Sequence, residues 1–349
     1  MDKSNSIKSR TNVVTWLFTG CFLVFVMVIV GGITRLTGSG LSITEWKIIT
    51  GTLPPFTESA WTEEFSKYTE SPQFEQINSH FGLSEFKSIY WWEYLHRLLG
   101  RLIGLVFIFP WIYFIITKQL STSMIWKSLI LFLMGGLQGF LGWYMVKSGL
   151  VNDPNVSHYR LALHLTTAFI TFGLTFWFAL GILAQKRNKA PSSYSMVALV
   201  ILFVVLVQIV FGAFVAGLDA GYVYNTFPKM DGKWIADSVR FAWMNDGIMG
   251  LFNSLGGVQF IHRYMAYVVT AIIILELIRV HRTEDIQVKV PGIMRAYQFL
   301  GLMVIVQFFL GVITLLYNVP VVMGVVHQAG AFILFAGAIY LLHRLNHQT

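Results

Sequence analysis

VVTWLFTGCFLVFVMVIV, residues 13–30, carries no acid and no base and decides the class of this protein. A hydrocarbon core about 30 Å thick needs roughly 20 mostly apolar residues in a helix. The run ends in Gly31-Gly32-Ile33-Thr34-Arg35 rather than in a cleavage-like site, so it reads as a retained span and not as a signal peptide. The remaining chain agrees. With 55% hydrophobic residues, 12% charged residues and a mean hydropathy of +0.63, an ordinary soluble domain is excluded. Seven further apolar stretches begin near His96, Met124, Tyr159, Tyr194, Phe260, Met294 and Val321. The expected fold is all-α: a polytopic protein of eight transmembrane helices, with the lipid bilayer as its solvent.

Lys and Arg in short loops favour the cytoplasmic side. Lys3, Lys8, Arg10, Lys118, Lys127, Lys186, Arg187, Lys189, Arg279, Arg282, Lys289 and Arg295 all fall on one side of such a topology, which puts both termini inside. Most acidic residues fall on the other side, so the net charge of +8 reads as topology and not as a nucleic-acid footprint. The long segment from Arg35 to about Tyr90 is too polar to span. Its stretch Trp61 to Tyr68 has amphipathic helical spacing and is expected to cap the outer face. The one cysteine, Cys21, cannot form an intrachain bridge.

Leu137-Gln138-Gly139-Phe140-Leu141-Gly142 returns as Val306-Gln307-Phe308-Phe309-Leu310-Gly311. Gly31 to Gly40 likewise aligns with Gly212 to Gly221, and His96-Arg97 with His262-Arg263. This internal repeat predicts two pseudo-symmetric four-helix bundles, residues 1–187 and 188–349, related by an axis along the membrane normal.

Of nine histidines, four sit just inside the even-numbered spans: His96, His164, His262 and His327. All four therefore belong near the outer face, two per half, where an ionisable side chain suggests function. Facing helices that each offer one imidazole suit bis-histidine heme ligation. One turn later stand Gly100, Ala168, Ala266 and Ala331, small enough to clear a porphyrin edge; a zinc or copper site would want three or four converging ligands. Small residues also let membrane helices approach closely, so this signal is shared with packing. His80, His158, His281, His343 and His347 read as structural or solvated. Arg97, Arg101, Arg160 and Arg263 stand on the outer side near the ligand candidates, where heme propionates or lipid phosphates would meet them. Glu93 precedes His96 by three residues, while the second half has Gln259 in that place. The asymmetry fits either proton-coupled chemistry in the first half or an ion pair with Arg97 or Arg101.

The stretches GGITRLTGSGLSITEWKIITGTLPP (31–55), EFKSIYWWEYLHRLLGR (85–101) and FGAFVAGLDAGYVYNTFPKMDGKW (211–234) resemble the heme A synthase family of the mitochondrial and proteobacterial type, over nearly the whole chain. The resemblance implies an oxidoreductase that converts the C8 methyl of heme O to a formyl group, giving heme A for cytochrome c oxidase. It implies a heme b cofactor on His262 and His327, a substrate site at His96 and His164, and a catalytic role for Glu93. It also implies a heme O synthase and oxidase assembly factors as partners, with homo-oligomerisation left open. The outer-loop cysteine pair of some bacterial members is missing here. Two other readings use the same histidines: a di-heme cytochrome b-like quinol oxidoreductase, with hemes at opposite depths, and a non-enzymatic heme carrier, which needs no acid near the iron.

Overall fold

The computed structural model describes residues 3–46, 50–151, 154–184 and 190–346; Lys186, Arg187, Lys189 and His347 lie outside them. Eight helices among the described residues are long and apolar enough to cross a membrane. They are α1 (Lys3–Leu36), α4 (Leu83–Ile116), α5 (Thr122–Val146), α6 (His158–Leu183), α7 (Ser192–Gly217), α9 (Leu255–His281), α11 (Ile293–Leu316) and α12 (Val321–Asn346). The intervening helices are α2 (Glu58–Thr69), α3 (Pro72–Gln76), α8 (Asp237–Asn253) and α10 (Glu284–Lys289). No strand forms among the described residues, only an isolated bridge between Met230 and Lys233.

Local chemistry starts and seals these helices. Ser121 Oγ accepts from Met124 N at 3.3 Å and Ser254 Oγ from Gly257 N at 3.1 Å, capping α5 and α9. Inside the spans, Thr34, Thr167, Thr171, Thr175, Thr270 and Thr314 each donate to the carbonyl four residues earlier, which satisfies their hydroxyls where lipid offers no partner.

In the first four spans α1 packs on α4 and α6, and α5 on α4 and α6. The last four repeat this order, with α7 on α9 and α12, and α11 on α9 and α12. The two sets meet through α6 against α7 and through α12 against α1 and α6. Half of the apolar window of α12 is buried against 6% for α4, so α12 is central and α4 peripheral.

Three spans begin well before the points that hydropathy alone predicts, α1 among them at Lys3 rather than Val13. α4 starts at Leu83, not His96, and α9 at Leu255, not Phe260. The first turns of α4 carry Phe86, Ile89, Tyr90 and Tyr94 into an aromatic cluster with Trp61 and Tyr68 of α2, so the helix continues into the outer cap. The cap helix expected around Trp61 to Tyr68 is α2, with both residues buried. Tyr68 donates to Gln73 Oε1 at 3.1 Å, and Gln73 Nε2 donates to Gly38 O at 2.7 Å, tying the cap to the end of α1. Burial pushes the Tyr68 phenol upward, partly offset by the hydrogen bond from Asn78. Lys67 joins Glu63, Glu64 and Glu45, and these contacts hold its ammonium protonated above the usual lysine range.

Candidate functional site

One cavity of about 1260 Å³ runs between the spans, and His96, His164, His262 and His327 all line it. Gly100, Ala168, Ala266 and Ala331, one turn beyond each histidine, line it too. The His262 and His327 ring centroids stand 6.5 Å apart with the planes at 86°. Two metal–nitrogen bonds of roughly 2 Å, plus about 1.2 Å from nitrogen to ring centre on each side, give about 6.4 Å, so this pair fits an iron held between two imidazoles. No group of three or more His, Cys, Asp or Glu residues able to hold a metal ion occurs among the described residues.

Every one of the four imidazoles faces a glycine on a neighbouring odd-numbered span. A Cβ on Gly31 would stand 3.1 Å from His96 Cε1, on Gly142 3.4 Å from His164 Cε1, on Gly212 3.1 Å from His262 Cε1, and on Gly311 2.9 Å from His327 Cε1. Sequence reasoning missed these glycines as site residues, although they occupy matched positions of the internal repeat. Four residues before three of them is a glutamine. Gln307 Nε2 donates to His327 O at 2.7 Å and lies 3.1 Å from its Nδ1. Gln138, with its amide nitrogen turned toward His164, reaches the same two atoms at 3.3 and 3.2 Å. Gln208 Nε2 donates to His262 O at 3.0 Å. Met27 holds the fourth place, and the buried Nδ1 atoms of His96 and His262 have no hydrogen-bond partner among the described residues.

Because the Gly311 contact is the tightest of the four, Gly311→Ala is expected to tilt the His327 ring at a cost of about 1–3 kcal/mol and to lower heme content per chain. Gly142→Ala, with 3.4 Å available, should act more mildly. Heme absorbance per mole of purified protein measures both; equal content in Gly311→Ala and wild type would remove the steric argument.

The arginines serve the loops first. Arg97 donates from Nη2 to Ile43 O at 2.8 Å and from Nη1 to Glu45 O at 2.9 Å, and stacks on Trp46. Arg263 repeats the arrangement on Tyr224 O and on Thr226 O, the latter at 2.7 Å. Arg97, Arg101 and Arg263 line the cavity. Arg160 is not among its lining residues: it lies over the Tyr144 ring at 3.8 Å and donates to Tyr144 O.

Glu93 is 3% exposed and also lines the cavity. Its Oε2 accepts from Ser42 Oγ and Ile43 N, both at 2.8 Å, and its Oε1 from Arg97 Nε at 3.0 Å and Nη2 at 2.6 Å. Gln259 makes the opposite contacts: its Nε2 donates to Ala220 O at 2.9 Å and Val223 O at 2.5 Å, while its Oε1 accepts from Arg263 at 3.3 Å. The acid–amide asymmetry therefore matches loop polarity, because the first loop offers donors and the second offers carbonyls.

The two sets of spans join at this level. Arg35 at the end of α1 pairs with Asp219 at 2.9 Å and donates to Ala216 O. Gln328, next to His327, donates to Val28 O at 3.0 Å and lies against Gly32. Of the remaining histidines, His158 packs on Tyr159 and Phe214 and His80 on Phe81, while His343 is buried against Trp177. In the aromatic stretch of α6, Phe169 lines the cavity and Phe172 is buried in the main core.

Residues 14–339 match the family described as cytochrome oxidase assembly protein. The heme A synthase of Flavobacterium psychrophilum is 47% identical over 347 residues, covering 97% of this chain and 100% of that protein. Those of Flavobacterium johnsoniae, at 46%, and Wolbachia pipientis, at 44%, each cover 97% of this chain, with 99% and 93% of their own lengths. Eight spans, four cavity-lining histidines and full-length similarity at this level lead to one conclusion: the chain belongs to the heme A synthase family of integral, multi-pass membrane proteins.

Proposed function

We propose that this protein oxidises the C8 methyl of heme O to the formyl group of heme A, with a bis-histidine heme b on His262 and His327. The observation that carries the reading is the 6.5 Å, near-perpendicular His262–His327 pair inside the shared cavity. When bound, heme b supplies one-electron redox chemistry; the protein contributes position, water exclusion and proton handling. Substrate heme O belongs in the half that holds His96 and His164, with residues 1–187 forming that half and 188–349 the cofactor half. The family resemblance implies successive oxidations of one methyl, through an alcohol, to a hydrated aldehyde that loses water. Arg97, Arg101 and Arg263 line the chamber where propionates would lie, and Arg160 braces its neighbouring helix. Glu93 ties down the loop after α1 through Ser42 and Ile43 and is, among the described residues of that half, the one buried carboxylate near a histidine. The basic loops on one side of the spans support a cytoplasmic location for both termini. Heme O synthase and oxidase assembly factors are then the partners that supply substrate and take product.

Each histidine pairs with a glycine near the end of the bundle opposite both termini. A quinol oxidoreductase that moves electrons across the membrane needs hemes at both ends, so this placement speaks against it. The deciding experiment is extraction and chromatography of hemes from cells coexpressing a heme O synthase with and without this chain. A formyl heme that appears only with the chain is expected; unchanged heme O refutes the proposal.

A further inference from the structure

A second cavity lies away from the histidines, and no residue lines both. It is a groove of about 1030 Å³ between α1, α6, α11 and α12, walled by Phe18, Phe22, Phe172, Phe176, Phe299 and Phe332. Its floor is packed: Phe172 stacks on Phe176 at 5.5 Å and meets Phe332 at 4.2 Å. Phe22 on its wall is 62% exposed, so the groove opens sideways into the region the bilayer fills.

One end of this apolar groove is basic. Arg295 and Arg344 line it, and among the described residues no Asp or Glu does. Arg344 follows His327 by 17 residues, roughly 25 Å along α12, which places the basic end at the face carrying both termini. The Arg344 guanidinium is seated: Nη1 donates to Tyr340 Oη at 2.9 Å and Nη2 to Pro291 O. Gly292 lies at φ +79, and a Cβ there would stand 3.2 Å from Arg344 Nη2, so glycine both makes the turn and clears the guanidinium. Gly292 is also the N-cap of α11 and offers no side chain to the first N–H groups of that helix, which add a partial positive charge. Arg295 is exposed and forms no ion pair among the described residues.

The geometry points to a binding site for one anionic glycerophospholipid, with an acyl chain along the phenylalanine walls and the phosphodiester between Arg295, Arg344 and the start of α11. The chemistry of the two ends selects the ligand class. A zwitterionic headgroup brings a cation to a site where no acid among the described residues receives it, and free phosphate leaves the aromatic walls uncovered. Arg295 is the recognition residue to vary, because Arg344 also clamps the turn at Pro291.

The test uses the full chain, purified and stripped of lipid by detergent exchange, then mixed with equimolar phosphatidylglycerol and phosphatidylcholine of matched chains distinguishable by mass. Native mass spectrometry is expected to show one phosphatidylglycerol per chain, favoured about tenfold or more over phosphatidylcholine. Arg295→Gln should abolish the preference, and Ala336→Trp, which fills the groove, should remove the bound lipid while heme content stays unchanged. Inorganic phosphate alone should not raise the melting temperature. Equal retention of both lipids, an unaltered preference in Arg295→Gln, or stabilisation by phosphate equal to that by the lipid would each overturn the assignment.

Discussion

Glu93→Gln is expected to leave the chain in the membrane with its C-terminal heme while lowering heme A formed per heme-loaded protein by roughly 100-fold, the scale of a lost acid–base group. The substitution preserves size but inverts one hydrogen-bonding end. Gln259 shows how an amide lives in this position: its nitrogen faces two loop carbonyls. In the first half the loop presents Ile43 N–H and Ser42 O–H instead. An amide nitrogen there leaves the part-buried Ile43 N–H unsatisfied, costing about 1–3 kcal/mol, and removes the charge facing Arg97. Ser42→Ala separates anchoring from proton transfer, since it deletes one loop contact and keeps the carboxylate. A shared loss of product in Ser42→Ala assigns Glu93 to closure of the loop; a silent Ser42→Ala beside an inactive Glu93→Gln assigns it to proton handling. Wild-type product per heme-loaded protein in Glu93→Gln would remove Glu93 from the reaction altogether.

His327→Ala and His262→Ala are each expected to eliminate the low-spin, bis-histidine heme signal from purified protein. On the proposed reading the pair at 6.5 Å would act as a unit, because an iron held by one imidazole alone would lose the low-spin state that two ligands give. The fold should survive in His327→Ala. Gln307 keeps its bond to the backbone carbonyl of residue 327, and α12 packs against α11, α7, α1 and α6. Added imidazole should restore part of the signal in the space left by the missing ring. A normal low-spin spectrum in either variant would show that the iron is held elsewhere.

The spans were readable because lipid imposes length and hydropathy on every crossing helix. Their outer limits were not, where polar residues such as Ser84, Glu85, Lys87 and Ser88 open α4 and the helix persists only because Phe86, Ile89 and Tyr90 meet the cap. α8 escaped notice for a different reason. Asp237–Asn253 mixes polar and apolar residues, is broken at Gly247 by φ +58, and leaves Phe241, Met244 and Met249 exposed, so it shows no single buried stripe. The four histidines stood out because charge-capable side chains are rare in apolar helices. Their glycine partners did not, since 30 glycines give no signal singly and only overlaying the repeat aligns Gly31 with Gly212 and Gly142 with Gly311. The Glu93–Gln259 difference was visible in the sequence. Its physical reason was hidden in backbone direction, which no residue type reports.

One turn of α1 borders both histidine sets of the shared cavity. Gly31 lies against the ring of His96, and Gly32, the next residue, lies against Gln328, itself the neighbour of His327. Neither glycine has a side chain, so at this turn the main chain itself stands between His96 and Gln328. If hemes were held by the two histidine sets as proposed, this turn of main chain would stand between them and help set their spacing.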